Sequence, residues 1–384
     1  MPHPTSNRPL TVILDTTERC NLKCRMCHFS ATDRITFPPF DRVLDKNGMM
    51  PVEAFDRIAA ELFPRAWRVA LACAAEPMVH PKFSEIVRIA GRYGVPDVWF
   101  PTNLLALTEA KAEAICDAGV NVVGVSMDGT TTATYEHIRV GGKFERLERS
   151  LTLLNDVRRR KKARTKLRII FTWMRSNRDE LRTLPEFATR WGATELDVRF
   201  VTPTPGVDNS GELLEGEDPA VLRAALRDTA HEAARRGLRL SSFPDYEGAE
   251  DLPSGAWGRL RRAWFRRRTG LDRREYDTYR RAERTKGCVW PSDFYVIRPN
   301  GAVSPCIFWD REPLGFFPEI GYDDLAGGEP LRRIREGLVD GHPVGTCATC
   351  SQRKDAFYYR LRGRRGRAAS APAEESPVVQ LGRP

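Results

Sequence analysis

Three cysteines near the amino terminus have the spacing of ligands to an iron–sulfur cluster. They are Cys20, Cys24 and Cys27, in a C-x3-C-x2-C pattern that follows an apolar run at 10–14. A [4Fe–4S] cube held by three thiolates has one iron without a protein ligand, and an open coordination position is where a metal centre does chemistry. A zinc knuckle or a set of buried thiols is the alternative. Zinc sites usually pair two C-x2-C or C/H elements, and this spacing is not such a pair.

Composition favours a soluble, cytoplasmic protein. The 384 residues are 41% hydrophobic, enough for one large domain and a small one, and no apolar run is long enough to span a membrane or act as a signal peptide. Nine cysteines in such a chain favour metal thiolates over disulfides. The net charge of +10 could indicate nucleic-acid binding, but an arginine-rich proteome or docking of an acidic electron carrier is the simpler explanation.

The first half of the chain alternates short β-rich runs with amphipathic segments of helix length, which is typical of parallel strands joined by right-handed crossovers. Strands are predicted over 10–15, 68–72, 98–102, 122–127, 167–172 and 196–201, and helices over 51–63, 81–93, 108–118, 143–162 and 179–191. The predicted fold class is α/β, with a partial (βα)6, TIM-like barrel or an open sheet. Ligands of such sheets bind at the carboxyl ends of the strands.

The cysteine loop after a first strand resembles the radical S-adenosylmethionine (SAM) superfamily. In that family the amine and carboxylate of SAM chelate the open iron, and reductive cleavage of SAM gives a 5′-deoxyadenosyl radical that removes a substrate hydrogen atom. The family usually has an aromatic residue before the third cysteine. Here it is Met26, whose polarizable thioether can still cover the adenine side of the loop. The resemblance implies SAM, a SAM-binding [4Fe–4S] cluster and a reductant of flavodoxin or ferredoxin type.

The segment Cys73-Ala74-Ala75-Glu76-Pro77 follows the second predicted strand and resembles the family's Gly-Gly-Glu-Pro motif. The resemblance implies that it receives the SAM ammonium through backbone carbonyls, such as that of Ala75, and through Glu76. Alanines replace both glycines, so the backbone needs φ below zero or a strained turn. Glu76 could instead cap the helix that begins near residue 81.

The next strand ends carry polar side chains in the family's order. Asn103 lies in a Thr-Asn-Leu segment that resembles Thr-Asn-Gly, and Ser126 and Asp128 lie in a Ser-x-Asp-Gly segment. A hydroxyl and a carboxylate at i and i+2 share one side of a strand end, and the resemblance assigns them to the SAM ribose and carboxylate. An Asx-type turn is the alternative for Asp128. Arg139 matches the family arginine that pairs with the SAM carboxylate, for which a guanidinium is well suited.

Residues 202–287 break the strand–helix repeat. A proline-rich stretch precedes an amphipathic helix predicted over 218–236, and 238–243 could form an extra strand. The stretch 259–284 interleaves arginines with aromatic residues, which can bind nucleic acid or a membrane surface. We favour a solvated basic helix that packs its aromatic residues on the barrel and bridges to the next domain.

A second cysteine set lies in the last third of the chain: Cys288, Cys306, Cys347 and Cys350. A hairpin is predicted between the first two, with strands over 294–298 and 302–305. Four soft ligands fit zinc or a fully ligated [4Fe–4S] cluster, and spacing alone does not decide. The C-x9–15-G-x4-C pattern and the distant pair resemble the twitch domain, a shortened SPASM domain with an auxiliary [4Fe–4S] cluster. No two further cysteines follow, so one auxiliary cluster is predicted.

The resemblance predicts a radical SAM enzyme. A fully ligated auxiliary cluster can accept an electron after hydrogen abstraction, which favours an oxidoreductase that dehydrogenates an alcohol on a small natural product, such as a sugar or aminocyclitol. A ribosomal-peptide maturase, either an epimerase or a cross-linking enzyme, is the alternative. The short stretch before the first strand leaves little room for a peptide-recognition domain. A non-catalytic metal- or nucleic-acid-binding protein is more remote. Arg199 is the candidate for holding the substrate, with a surface salt bridge as its alternative.

The predicted organisation has five parts: an extension over 1–9, the barrel over 10–201, a basic linker over 202–287, the twitch domain over 288–352 and a tail over 363–384. The tail is rich in Arg, Ala, Ser, Pro and Glu, so disorder is predicted there. The two remaining cysteines, Cys73 and Cys116, are predicted to be core thiols.

Overall fold

Ten strands form one sheet in the computed structural model, which describes residues 10–31, 47–203, 207–243, 288, 291, 294–309, 311–340 and 342–350. The strands are β1 (Leu10–Leu14), β2 (Ala66–Ala70), β3 (Asp97–Thr102), β4 (Val122–Ser126), β5 (Lys166–Trp173), β6 (Glu195–Phe200), β7 (Arg239–Phe243), β8 (Phe294–Ile297), β9 (Ala302–Ser304) and β10 (Gly315–Phe316). All six predicted barrel strands are present, each within two residues of its predicted bounds.

The sheet is mostly parallel. Strands β1 to β7 lie in sequence order and each pairs in parallel with the next. On the other side of β1 lies β8, also parallel, followed by the antiparallel strands β9 and β10. The predicted hairpin is therefore confirmed, and it extends the barrel sheet beyond β1. The parallel part also continues beyond residue 201 through β7.

Helices cover one face of this sheet. They are α1 (Val52–Leu62), α2 (Phe83–Arg92), α3 (Glu109–Asp117), α4 (Thr132–Ile138), α5 (Phe144–Arg160), α6 (Leu184–Arg190), α7 (Pro219–Arg235), α8 (Tyr322–Gly327), α9 (Glu329–Asp340) and α10 (Thr346–Thr349). The helix predicted over 179–191 is wrong in its first half. A 3₁₀-helix spans Arg175–Arg182, with Asn177 non-helical, and α6 then begins with Pro185 in its first turn.

The strands present two chemically different faces because successive side chains alternate. One set, including Val12, Val125 and Val198, packs with the helices in the main core. The alternate set lies on the opposite side, which we call the inner face. On its strands are Ile13, Ala70, Trp99, Gly124, Ser126, Arg168, Ile170, Thr172, Glu195, Asp197 and Arg199. Polar groups are concentrated on β4 to β6 of this face.

Several predictions fall elsewhere or need correction. The extension 1–9, the stretch 259–284 and the tail 363–384 lie outside the described residues. Cys73 and Cys116 are half-buried and not fully enclosed in the core. No helix in the described part of the chain is long and apolar enough to cross a membrane.

Candidate cofactor site

The loop that carries the first three cysteines follows β1 and is fixed to the end of α4 by backbone hydrogen bonds. Lys23 N donates to Val140 O at 2.9 Å, and Arg25 N donates to Ile138 O at 3.0 Å. The Arg25 guanidinium adds a bond from Nε to the carbonyl of His137 at 2.7 Å. These bonds hold the loop against the helix that follows β4, so the first and fourth strand ends share one site.

The three thiols lie close enough together to affect one another's ionisation. Burial raises the pKa of Cys24 to about 12 and that of Cys20 to about 11, and neighbouring thiolates of the same set add to both shifts. Burial also raises the pKa of Cys27. Among the described side chains no three His, Cys, Asp or Glu residues surround a single-ion site. A four-iron cube binds each thiolate on a different iron, so three gathered thiols fit it.

Arg139 lies buried beside this loop and is committed to two partners. Its Nη2 pairs with Asp128 Oδ2 at 2.7 Å, and its Nη1 lies 3.9 Å from Cys24 Sγ. The other oxygen of Asp128 accepts from Thr172 N at 2.8 Å. The carboxylate of Asp128 is fully buried, so its visible role is to hold Arg139 against the cysteine loop. The SAM contacts predicted for these two residues stay predictions.

Glu76 links the ends of β2 and β3. Its Oε1 accepts from Met78 N at 3.1 Å and from Thr102 Oγ1 at 2.7 Å, while Oε2 accepts from Asn103 N at 2.7 Å. It caps the 3₁₀-helix Pro77–Val79, not the helix near residue 81. Burial raises the pKa of Glu76 in spite of these donors. The carboxylate therefore has a structural role in shaping the loop.

Asn103 contacts the cysteine loop directly. Its Nδ2 donates to Asn21 Oδ1 at 2.8 Å and lies 3.9 Å from Cys20 Sγ. The following Leu104 takes the place of the family's glycine and has φ of 64°. This segment keeps the left-handed backbone of a glycine position without having a glycine.

Ser126, Ala75 and Met26 complete the predicted SAM contacts. Ser126 ends β4 half-buried on the inner face, and its hydroxyl has no partner among the described residues. Neither Ala74 nor Ala75 has positive φ, so the first of the two predicted geometries is present. Met26 packs against the core beside Ile138 and Met174.

Three residues of the site were missed by sequence reasoning. Asp15 directly follows β1, Arg298 directly follows β8, and His28 follows the third cysteine. Burial, with the charge of Arg298, lowers the pKa of His28 to about 4, so its imidazole is neutral at pH 7. An acid directly after a buried strand was the available signal for Asp15. The pairing with Arg298 depends on a contact between residues 283 positions apart.

The second cysteine set also gathers. Burial, together with the charges of Cys288, Cys347 and Cys350, raises the pKa of Cys306 to about 12. Cys347 and Cys288 pack with Trp309 and with apolar residues of α9 in a separate cluster. Four thiols from three chain segments are thus brought together beside the sheet.

Comparison with known proteins identifies the catalytic part. Residues 14–172 match the profile described as Radical SAM superfamily, a range that contains the cysteine loop and the ends of β2 to β4. This part of the chain is a radical SAM domain. Such a domain implies SAM and a [4Fe–4S] cluster, for which Cys20, Cys24 and Cys27 supply a fitting donor set.

Two curated relatives of this radical SAM enzyme differ in how much of the chain they match. An AdoMet-dependent heme synthase from Methanosarcina barkeri is 25% identical over 93% of each chain. A tungsten-containing aldehyde ferredoxin oxidoreductase cofactor-modifying protein from Pyrococcus furiosus is 30% identical, over 38% of this chain and 39% of that one.

Solved structures confirm the fold, a TIM-like barrel of the radical SAM type. Streptococcus suis SuiB bound to S-adenosylmethionine superposes with a TM-score of 0.63 at 16% identity, covering 87% of this chain and 68% of SuiB. Native anSMEcpe with bound AdoMet superposes with a TM-score of 0.57 at 16% identity, covering 92% of this chain and 88% of anSMEcpe.

Proposed function

We propose that this enzyme dehydrogenates an alcohol carbon of a small polar natural product, such as a sugar or aminocyclitol. SAM on the open iron would supply the radical that removes the hydrogen atom of the C–H bond. The substrate radical then loses its O–H proton and one electron to become a carbonyl compound. The electron acceptor would be an auxiliary [4Fe–4S] cluster on Cys288, Cys306, Cys347 and Cys350, in a twitch domain.

The observation that carries this proposal is the position of the second cysteine set relative to the inner face. Ile307, next to Cys306, packs against Ile13, Ala70 and Val296, together with Cys73 and Trp99. These residues line the side of the sheet that faces away from the helices. A substrate between the carboxyl ends of the strands would have the SAM loop and the auxiliary thiols on the same side of the sheet.

The candidate substrate residue, Arg199, lies on this face near the end of β6. Its Nη2 and Nε donate to Asp197 Oδ2 at 2.8 and 3.2 Å. Burial alone would lower the pKa of Arg199, but the Asp197 carboxylate, with Cys73 and Asp128 nearby, raises it overall. Arg199 is therefore close enough to the residues that follow β2 and β4 to feel their charges.

The charge of Arg199 is already compensated by Asp197. Within the described residues the bonds reach only one carboxylate oxygen, which leaves Asp197 Oδ1 as an acceptor and Arg199 Nη1 as a donor. A neutral donor–acceptor pair suits hydroxyl and amino groups better than it suits an isolated anion. This pairing supports a polyol or amino alcohol.

A heme precursor is the second candidate substrate, because the Methanosarcina relative matches along 93% of each chain and is named a heme synthase. A peptide is the third, because SuiB bound to the precursor peptide SuiA shares the fold with a TM-score of 0.60.

The decisive experiment reconstitutes the protein anaerobically and compares it with the C347A/C350A variant. We expect about eight irons per chain in the first and about four in the second, with SAM cleavage retained by both and substrate oxidation lost by the variant. The substrates are an aminocyclitol, a porphyrin carboxylate and a peptide. Colourless, zinc-loaded protein, or equal iron in both forms, would contradict the auxiliary cluster.

Arg199→Ala tests the substrate assignment. It should abolish substrate oxidation while slow cleavage of SAM without substrate continues. The exposed Arg190→Ala on α6 is the control and should match the unmodified enzyme. Unchanged oxidation by Arg199→Ala would reduce its pair with Asp197 to a structural salt bridge.

A further inference from the structure

Asp15, the buried acid directly after β1, binds the loop that follows β2. Its Oδ1 accepts from Cys73 N at 2.6 Å and from Ala74 N at 3.1 Å. Its own backbone N donates to Ile297 O at 2.9 Å. The residue is 1% exposed. One carboxylate oxygen therefore fixes two consecutive backbone amides of the 73–76 loop.

The other oxygen of Asp15 pairs with Arg298, which begins the hairpin turn after β8. The turn itself has a fixed geometry. Arg298 N donates to Ala302 O at 2.9 Å and Gly301 N donates to Arg298 O at 2.8 Å. Gly301 has φ of +84°, and a Cβ there would lie 2.2 Å from Phe317 O. The guanidinium is thus delivered to Asp15 by a turn that tolerates only glycine at this position.

The 73–76 loop, which contains no glycine, is anchored by hydrogen bonds at both of its ends. Asp15 fixes its first half, and the bonds from Met78, Thr102 and Asn103 to Glu76 fix its second half. Ala75 lies between the two anchors, so the direction of its carbonyl is set by both. A shift of either anchor would turn that carbonyl.

We infer that Asp15 and Arg298 are positioning residues for SAM binding, through the 73–76 loop. Asp15 orients the backbone that faces SAM, and Arg298 neutralises and holds Asp15. The hairpin that supplies Arg298 also leads to Cys306, eight residues later. The carboxyl-terminal part of the chain therefore contributes to cofactor affinity, apart from any role of its own thiols.

The test measures SAM binding to the reconstituted R298Q enzyme. We expect the Kd for SAM to rise about 10-fold to 100-fold. This is the loss of affinity found when side chains that hydrogen-bond to metal-binding residues, and so orient them, are mutated. The change that SAM produces in the electron paramagnetic resonance spectrum of the reduced cluster should weaken in parallel. R298K, which keeps the charge, should restore most of the affinity.

R168Q is the matched control. It also breaks a buried ion pair on the inner face, to Glu195 at 2.6 Å, but near the amino ends of the strands. It should lower the melting temperature without changing the Kd for SAM. If R298Q lowers the melting temperature as R168Q does and leaves the Kd unchanged, the inference is overturned.

D15N and the double variant D15N/R298Q separate positioning from misfolding. D15N keeps an oxygen for the two loop amides but loses the charge, so its Kd should rise less than that of R298Q. The loss of SAM-binding free energy in the double variant should be smaller than the sum of the losses in the two single variants, because both substitutions break the same contact. If the losses in the single variants are fully additive, the inference is overturned. None of these measurements uses substrate, so they stand whether or not the proposed dehydrogenation is correct.

Discussion

Leu104 shows a side chain held in a backbone conformation that favours glycine. Its φ of 64° costs a residue with a Cβ about 1 to 2 kcal/mol. Its side chain is completely buried in the main core, which contributes about 2 kcal/mol. Burial thus offsets the strain, and a leucine can occupy the third position of the Thr-Asn-Gly motif without changing its geometry.

The preference between glycine and alanine should invert between Leu104 and its neighbour Leu105. Both leucines are buried, but only Leu104 has positive φ. At position 104 we expect Leu→Gly to be about 1 kcal/mol more stable than Leu→Ala. At position 105 the alanine variant should be more stable by a similar amount. Urea denaturation of the four variants measures this. If the glycine and alanine variants have the same order of stability at both positions, the backbone at Leu104 is not strained.

Glu76 and Ser126 should separate stability from cofactor binding. Glu76→Gln leaves the Asn103 amide facing an NH2 group, which should lower the free energy of unfolding by about 1 to 3 kcal/mol.

Ser126→Ala removes a hydroxyl that has no partner among the described residues, so the melting temperature should not change. It should instead weaken SAM binding, measured by equilibrium titration. Unchanged affinity in Ser126→Ala would remove that residue from the SAM site.

Across strands β5, β6 and β7, a buried ion network closes the end of the inner face opposite the cofactor. Glu195 Oε2 accepts from Arg168 at 2.6 Å and from Arg239 at 2.8 Å. The Arg168 guanidinium also stacks on Trp99, 5.4 Å from the ring centre. A buried charge is stable only when it is paired with an opposite charge. Removing any one of these three side chains should therefore destabilise the other two.

This network should make stability depend on acid pH. Burial would raise the pKa of Glu195, but Arg168 and Arg239 together hold it below its ordinary value of 4.5. Its contribution is therefore complete above pH 4.5 and is lost as the pH falls through the lower folded pKa. Glu195→Gln should cost about 3 kcal/mol at neutral pH and flatten this acid dependence, measured by urea denaturation.

Glu232→Gln on α7 is the control for that pH profile. Its carboxylate pairs with Arg236 at the surface, where water and salt screen the interaction. We expect little change in stability and an acid profile like that of the unmodified protein. If Glu195→Gln and Glu232→Gln change stability and its pH dependence equally, burial on the inner face is not the cause of the acid dependence.

Local patterns predicted the strands well, and long-range pairings escaped them. Alternating apolar runs located β1 to β6 because each strand is recognisable from its own residues. The parallel pairing of β8 with β1 joins segments about 280 positions apart, which periodicity cannot reveal. Spacing and order predicted that the cysteines and Asn103 share a site, and Asn103 does contact the cysteine loop. Asp15 and Arg298 were missed, because their roles exist only once β8 lies beside β1.

The charge of the whole molecule should affect how it receives electrons. A net charge of +10 attracts an acidic carrier over distances that salt screens. We expect reduction of the SAM-binding cluster by an acidic flavodoxin to slow at least tenfold between about 50 and 500 mM NaCl. Stopped-flow absorbance measures the rate. The methyl viologen radical cation should show no such loss, and identical salt dependence for both reductants would exclude electrostatic docking.

Strand β1 has one neighbour encoded about 55 codons later and another encoded about 280 codons later. During synthesis, β2 is available soon, but β8 leaves the ribosome about 15 to 55 s after β1 at ordinary elongation rates. Until then the outer edge of β1, next to the cysteine loop, has unpaired backbone groups that can recruit another nascent chain. Insertion of the cluster into a loop with an open edge would thus compete with aggregation, so slower expression at lower temperature should favour intact, loaded protein.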